Sequence, residues 1–150
     1  MVAEQKQTTL RFNGSVWCNL DVAVRNVQNL YRRVARPLGL NVVELYILRA
    51  LYDEDGRHAS DLANAVGRAA TSFTPNLDRL EDKGWIKRHP DPNDRRAVRI
   101  YLTEKGEKNR DTLLQAMERI DRRIADNFTA DDFQAFLKVL AELQTLSFES

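Results

Sequence analysis

Hydrophobic positions recur every three or four residues over most of the chain and every second residue over one short stretch. The sequence therefore predicts a mainly helical protein with a small β-hairpin. Val16, Leu20, Ala23, Val27, Leu30, Tyr31 and Val34 mark one face of a first helix, ended by Pro37 and Gly39. Asn41 followed by Glu44 resembles a capping box, and Leu45, Leu48, Leu51 and Tyr52 carry a second helix as far as Asp55-Gly56. Ser60 can cap a short third helix holding Leu62, Ala63 and Val66 and closing at Gly67. From about Thr71 to Lys83 a further helix puts Phe73, Leu77 and Leu80 on one face and Thr71, Ser72, Pro75, Asp78, Arg79 and Asp82 on the other. Pro75 has no amide hydrogen and is expected in the first turn, where such donors lack partners anyway.

The period then changes. Trp85–His89 and Ala97–Leu102 read as two short strands, joined by the turn-forming run Pro90-Asp91-Pro92-Asn93-Asp94-Arg95-Arg96, so a hairpin with a protruding basic tip is predicted. Thr103 is expected to cap one long helix with Glu104 and Glu107 in its first turn and a stripe of Leu113, Met117, Ile120, Ile124 and Phe128. A last helix from about Ala130 to Leu146 offers Phe133, Phe136, Leu137, Leu140 and Leu143. The predicted fold class is mainly α with a small β-hairpin (α+β): a helix-turn-helix carrying a hairpin wing, with long amphipathic helices at both ends of the chain. No repeat, low-complexity tract or Gly/Ser-rich linker divides it, so residues 1–150 read as a single domain.

Composition narrows the function. The 150 residues are 43% hydrophobic and 30% charged, which fits an ordinary globular domain and excludes collagen-like and disordered classes. No stretch approaches the roughly 18 consecutive apolar residues of a membrane span, and the first 14 residues lack the apolar core of a secretory signal. With one cysteine, Cys18, no intrachain disulfide can form, which fits a reducing compartment; the cytoplasm is the expected location and no membrane partner is expected. The net charge of +1 conceals segregation: +4 over residues 1–40, −3 over 41–67, +3 over 68–99 and −3 over 100–150. Basic surface turned toward an anionic partner, with acidic surface held away from it, explains such a pattern. In a winged helix-turn-helix the second helix of the pair enters the major groove of double-stranded DNA, and the wing reaches the minor groove or the phosphates. The rival reading is a winged helix that serves only as a protein-interaction module.

The run from Gly84 to Gly106, with Asp91-Pro92-Asn93-Asp94-Arg95-Arg96 at its centre and Leu102-Thr103-Glu104-Lys105-Gly106 at its end, resembles the wing signature of MarR-family transcriptional regulators. Leu62-Ala63 and Asp78-Arg79-Leu80-Glu81 fall where that family places its helix-turn-helix. The resemblance implies a DNA-binding lobe at about 41–103, dimerisation helices at about 15–38 and 104–147, and a homodimer on a pseudopalindromic operator. It also implies a ligand-responsive repressor whose small-molecule effector enters between the dimer and DNA-binding parts.

Individual residues fit that picture. Arg95 and Arg96 at a hairpin tip cannot be core, and a weakly hydrated guanidinium fork suits a narrow minor groove. Thr71, Ser72 and Arg79 can donate to base edges or phosphates. Asp94 would repel phosphate, so it is expected to brace an arginine, Arg96 or Arg79; the family's Asp-x-Arg wing pattern maps onto Asp94 and Arg96. Trp17, Arg25, Tyr31 and Tyr46 are candidates for lining an effector pocket. Some relatives sense peroxides through a lone cysteine early in the first helix; Cys18 falls a few positions before that spot, without the matching tyrosines. His58 and His89 have no acid or cysteine at ligand spacing, and no phosphate loop or nucleophile elbow occurs, so neither a metal, nor a cofactor, nor catalysis is expected.

Overall fold

In the computed structural model, which describes residues 9–68 and 70–148, the Ser15 hydroxyl accepts from the Cys18 amide and opens the first helix, α1 (Val16–Ala35). Asn19 fastens the preceding turn to it, its Nδ2 donating to the Ser15 carbonyl at 2.7 Å while its Oδ1 accepts from the Phe12 amide. A single 3-10 turn at Arg36–Leu38, with Pro37 fixing the backbone, ends this stretch. The chain forms two units, Met1–Val42 and Val43–Ser150, and apart from Val42 the remaining elements lie in the second.

Those elements are α2 (Val42–Asp53), β1 (Arg57–His58), α3 (Ala59–Ala65), α4 (Ala70–Asp82), β2 (Ile86–Pro90), β3 (Val98–Leu102), α5 (Glu104–Lys108), α6 (Arg110–Ala125) and α7 (Ala130–Thr145). The sheet is antiparallel in the order β1-β3-β2, with Arg57 opposite Ile100, His58 opposite Arg99 and Ile86 opposite Leu102. Its inner face and the helices share a core of Leu45, Leu48, Leu51, Leu62, Phe73, Leu77, Leu80, Trp85, Ile86, Ile100, Leu102 and Leu113, all buried. The mainly helical fold with a hairpin wing is as the periodicity predicts; β1, two residues long, adds a third strand that the pattern does not reveal.

Several local expectations are corrected. The third helix begins at Ala59 with His58 in the cap position and no side-chain cap, so Ser60 is already helical. Thr103 does cap, accepting from the Gly106 amide, but the helix it starts ends at Asn109. There the Asn109 side chain donates to the Lys105 carbonyl at 2.9 Å, competing with the helical ladder, and α6 starts afresh. Gly106 is required at this corner: a Cβ would stand 2.5 Å from the Trp85 carbonyl oxygen. Pro75 lies a full turn inside α4 and not in its first turn. The Thr71 carbonyl thereby loses its usual amide partner, a loss that an exposed helix face tolerates because solvent can replace it.

Candidate nucleic-acid interface

α4 has two sharply different sides. Phe73, Asn76, Leu77 and Leu80, at i, i+3, i+4 and i+7, are buried, while Thr71, Thr74, Pro75 and Asp78 repeat the same spacing on the opposite side and are exposed. Ser72 and Arg79 flank the exposed stripe. After Asp82 the chain turns through Gly84, whose φ of +78° suits glycine alone, and the Trp85 amide bonds the Leu80 carbonyl at 2.9 Å. This turn starts the wing.

Three ionic anchors hold the helix and the wing in place. Glu44 of α2 is wholly buried, and its two oxygens accept from Arg79 Nε at 3.1 Å and Lys83 Nζ at 2.7 Å. The expected capping-box residue thus serves as the anchor of α4, and Asn76 takes Arg79 Nη2 at 2.7 Å. Arg88 of β2 reaches across to α4, with Nη2 at 2.7 Å from Asp78 and at 3.2 Å from Glu81. Hydrogen bonds to Glu81, and then to Asp78, push the Arg88 pKa up, and the bond from Arg88 pushes the Glu81 carboxyl down.

Asp91 is the third anchor, 5% exposed at the base of the wing turn. Its carboxylate bonds His58 Nε2, the Asn93 amide at 2.8 Å and Arg99 Nε at 2.8 Å, and Arg99 Nη1 also donates to the Gly56 carbonyl at 2.8 Å. The bond to His58, reinforced by the Asn93 amide and Arg99, holds the Asp91 carboxyl far below the usual carboxylate range. The wing is thereby tied to β1 across the sheet.

Arg95 and Arg96 stand exposed at the hairpin tip. Asp94 lies beside them, but its Oδ1 accepts from the Arg96 backbone amide at 3.0 Å, and among the described residues it forms no ion pair with Arg96 or Arg79. It shapes the turn; within the wing turn the carboxylate that holds an arginine side chain is Asp91, on Arg99. Thr71 and Ser72 are exposed on α4, and Arg79 is 48% exposed in its side chain with Nε and Nη2 used internally.

The other candidates are dispersed. In the first unit Trp17 is 79% exposed, Arg25 pairs with Asp21 at 3.0 Å, and an open groove along α1 is lined by Arg25 with Arg11, Asn19 and Asn26 and not by Trp17 or Tyr31. Tyr46, in the second unit, is exposed on α2. Cys18 is half-buried in the first turn of α1. His58 is engaged by Asp91 and Asp61, and His89 packs edge-on against Tyr101. Among the described residues no group of three His, Cys, Asp or Glu side chains is placed to hold a metal, and no helix is long and apolar enough to cross a membrane. Sequence reasoning missed Glu44, Arg88 and Asp91; their charge was visible, but not the partners that the fold brings to them.

A short helix, a turn, a helix with a polar outer side and a three-stranded sheet with a projecting hairpin define a winged helix-turn-helix protein. Residues 40–98 match the family model described as MarR family. The uncharacterized HTH-type transcriptional regulator YwhA of Bacillus subtilis (strain 168) is 29% identical over 107 residues, 71% of this chain and 77% of its own length. Among solved structures, the transcriptional regulator PA4135 is 28% identical with a TM-score of 0.81, over 89% of this chain and 98% of that one. The transcriptional repressor CouR, bound to a 23-mer DNA duplex, is 25% identical with a TM-score of 0.78, over 87% of this chain and 92% of its own. Over residues 40–98 in sequence, and over most of its length in fold, the chain is similar to MarR-family transcriptional regulators.

Proposed function

We propose that this protein is a MarR-family regulator that works in the cytoplasm as a homodimer, binds a pseudopalindromic operator in double-stranded DNA, represses transcription there and releases the DNA when a small molecule binds. The observation that carries the reading is the pairing, within one folded unit, of the exposed side of α4 with the Arg95-Arg96 tip, locked together by Arg88 between Asp78 and Glu81. A helix so presented fits the major groove, and the two arginines fit the adjacent minor groove or phosphates. The DNA-bound structure of CouR supports the same use of the fold. Thr71 and Ser72 meet base edges or phosphates, and Arg79 holds the helix through Glu44 with its Nη1 end left for a phosphate.

Dimerisation is supported by α7, none of whose residues is buried although Phe136, Leu137 and Val139 lie along it. Trp17, Arg25, Tyr31 and Tyr46 remain the residues proposed for the effector. A Cys18-based redox response gains no support from its surroundings.

Fluorescence anisotropy of the protein on genomic operator fragments tests the reading. Phosphate contacts release counterions, so log affinity should fall linearly with log salt, with a slope of about −0.9 per phosphate contacted. Arg95→Ala with Arg96→Ala should flatten that slope by about 2. Retention of no duplex at low salt, or a slope near zero, would refute DNA binding.

A further inference from the structure

We propose that α4 selects A·T base pairs through the 5-methyl group of thymine, with Thr71, Thr74 and Pro75 as the selecting residues, and that guanine is not read by a bidentate cation on this helix. The proposal rests on the reading of α4 as the DNA-recognition helix. It follows from which groups on α4 are left for a base and which are taken.

Guanine is most often recognised by a guanidinium or ammonium on O6 and N7, and cytosine by a carboxylate on N4. The cations placed to do this are withheld. Arg79 spends Nε on Glu44 and one hydrogen of Nη2 on Asn76, so its Nε/Nη2 fork is taken and the guanidinium is pinned between α2 and its own helix. Lys83 is held by Glu44 at 2.7 Å, and Arg88 by Asp78 and Glu81. The acid on the exposed stripe is withheld by the same device, because Asp78 Oδ1 is the oxygen that Arg88 holds at 2.7 Å.

What remains forward on the stripe is Thr71, Thr74 and Pro75, all exposed and adjacent at i, i+3 and i+4. Two threonine methyls and a pyrrolidine ring make a small apolar surface in the N-terminal half of the helix, the half that meets base edges when such a helix docks. In the major groove, thymine alone among the four bases presents a methyl group. Pro75 strengthens the assignment, since a ring at this position can neither donate to a base nor be replaced by a flexible cation. The threonine hydroxyls can still bond a neighbouring base or phosphate.

The test uses the full-length protein. Duplexes selected from a randomised pool at moderate salt are sequenced, and each thymine of the selected half-site is then replaced singly by deoxyuridine, which differs only in lacking the methyl group. Two or three adjacent positions in each half-site should be fixed as A·T, and deoxyuridine there should weaken binding about four-fold per methyl, the worth of burying one such group. Pro75→Ala and Thr74→Ser should abolish the difference between thymine and deoxyuridine while leaving the salt slope unchanged. Deoxyuridine without effect at every position, or an invariant guanine whose preference disappears in Arg79→Ala, would overturn the proposal while leaving DNA binding intact. If no duplex is enriched from the pool, the DNA-binding reading falls and this one with it.

Discussion

Nη2 of Arg88 on the wing strand lies 2.7 Å from Oδ1 of Asp78 on α4, so the hairpin and the helix that would enter the groove are positioned by one guanidinium. Arg88→Ala should therefore reduce stability only slightly, by about 0.5–1 kcal/mol, because all three side chains are partly open to solvent. Its effect on DNA should be larger. The released Asp78 carboxylate would face the phosphates, and the wing would lose its fixed angle. Arg88→Lys should recover little, since an ammonium cannot reach Asp78 and Glu81 as a fork does. Paired thermal melts and anisotropy titrations check this; equal losses of stability and affinity would contradict the positioning role.

The Glu44 anchor makes an asymmetric prediction. Removing the carboxylate leaves two cations that are 48% and 34% exposed and can turn toward water, so Glu44→Ala should cost about 1–3 kcal/mol. Removing both cations strands a buried carboxylate, and Arg79→Ala with Lys83→Ala should cost about 3–5 kcal/mol. Urea unfolding of the three proteins orders them; a double variant milder than Glu44→Ala would show that the carboxylate is not confined as described.

Glycine substitutions should separate two kinds of crowding. At Gly56, φ is +74° and a new Cβ would stand 2.7 Å from Tyr101 Cε1, a ring that can swing aside, so Gly56→Ala should cost about 1–3 kcal/mol, largely from the backbone. At Gly106 the obstacle is the Trp85 carbonyl oxygen at 2.5 Å, which cannot move without the strand. Gly106→Ala should be the worse of the two in a thermal melt, and it should also disturb the 2.9 Å bond that the Tyr52 hydroxyl donates to the Gly106 carbonyl.

The halves of the interface differ in how far the sequence discloses them. The two sides of α4 and the exposed tip at Arg95-Arg96 follow from periodicity and turn chemistry, which are local and leave a trace in consecutive residues. The anchors do not. Glu44 meets Arg79 and Lys83, and Asp91 meets His58, only after helices and strands far apart in the chain have packed, and many carboxylates in the sequence look the same beforehand. Asp94 drew attention through its place next to two arginines, but a side chain so near a tight turn finds the Arg96 amide first. β1 escapes because two residues cannot show an alternation, and the break at Asn109 because residues 103–112 carry no apolar side chain whose spacing could register it.

Titration should act at both ends of the pH scale. The Asp91 carboxyl ionises in the folded protein far below its unfolded value of about 3.9, so the stability it contributes is complete above about pH 4 and is lost as the pH falls toward the folded value. Tyr52 behaves in the opposite sense: burial, aided by Glu107, pushes its hydroxyl up to about 12. Its contribution is complete below about pH 10 and is lost as the pH rises toward 12. Urea midpoints measured across pH should decline in both windows. Asp91→Asn should flatten the acid limb and leave the alkaline limb alone, and Tyr52→Phe should do the reverse. An unchanged acid limb in Asp91→Asn would assign the acid loss to other carboxylates.

The final prediction is that no stable folded monomer exists. α7 buries none of its residues, yet Phe136, Leu137 and Val139 are 48%, 41% and 53% exposed, and Phe128, Leu146 and Phe148 lie uncovered at its ends. Stacking of Phe128 on Phe133 and of Phe133 near Phe136 gathers these rings into one patch and not scattered side chains. A monomer in water seldom leaves more than a few hundred Å² of contiguous apolar surface open. A second copy can cover the patch with its own, because a two-fold axis brings identical surfaces together. Such pairing would also place two copies of α4 for half-sites about one DNA turn apart, roughly 34 Å. Sedimentation equilibrium at micromolar concentration should give twice the 17.3 kDa chain mass. Phe136→Glu, which sets two carboxylates against an apolar seam, should lower both dimer content and helicity together. A helical species at the single-chain mass would show that the α7 face is tolerated in water and that the dimer is not needed for folding.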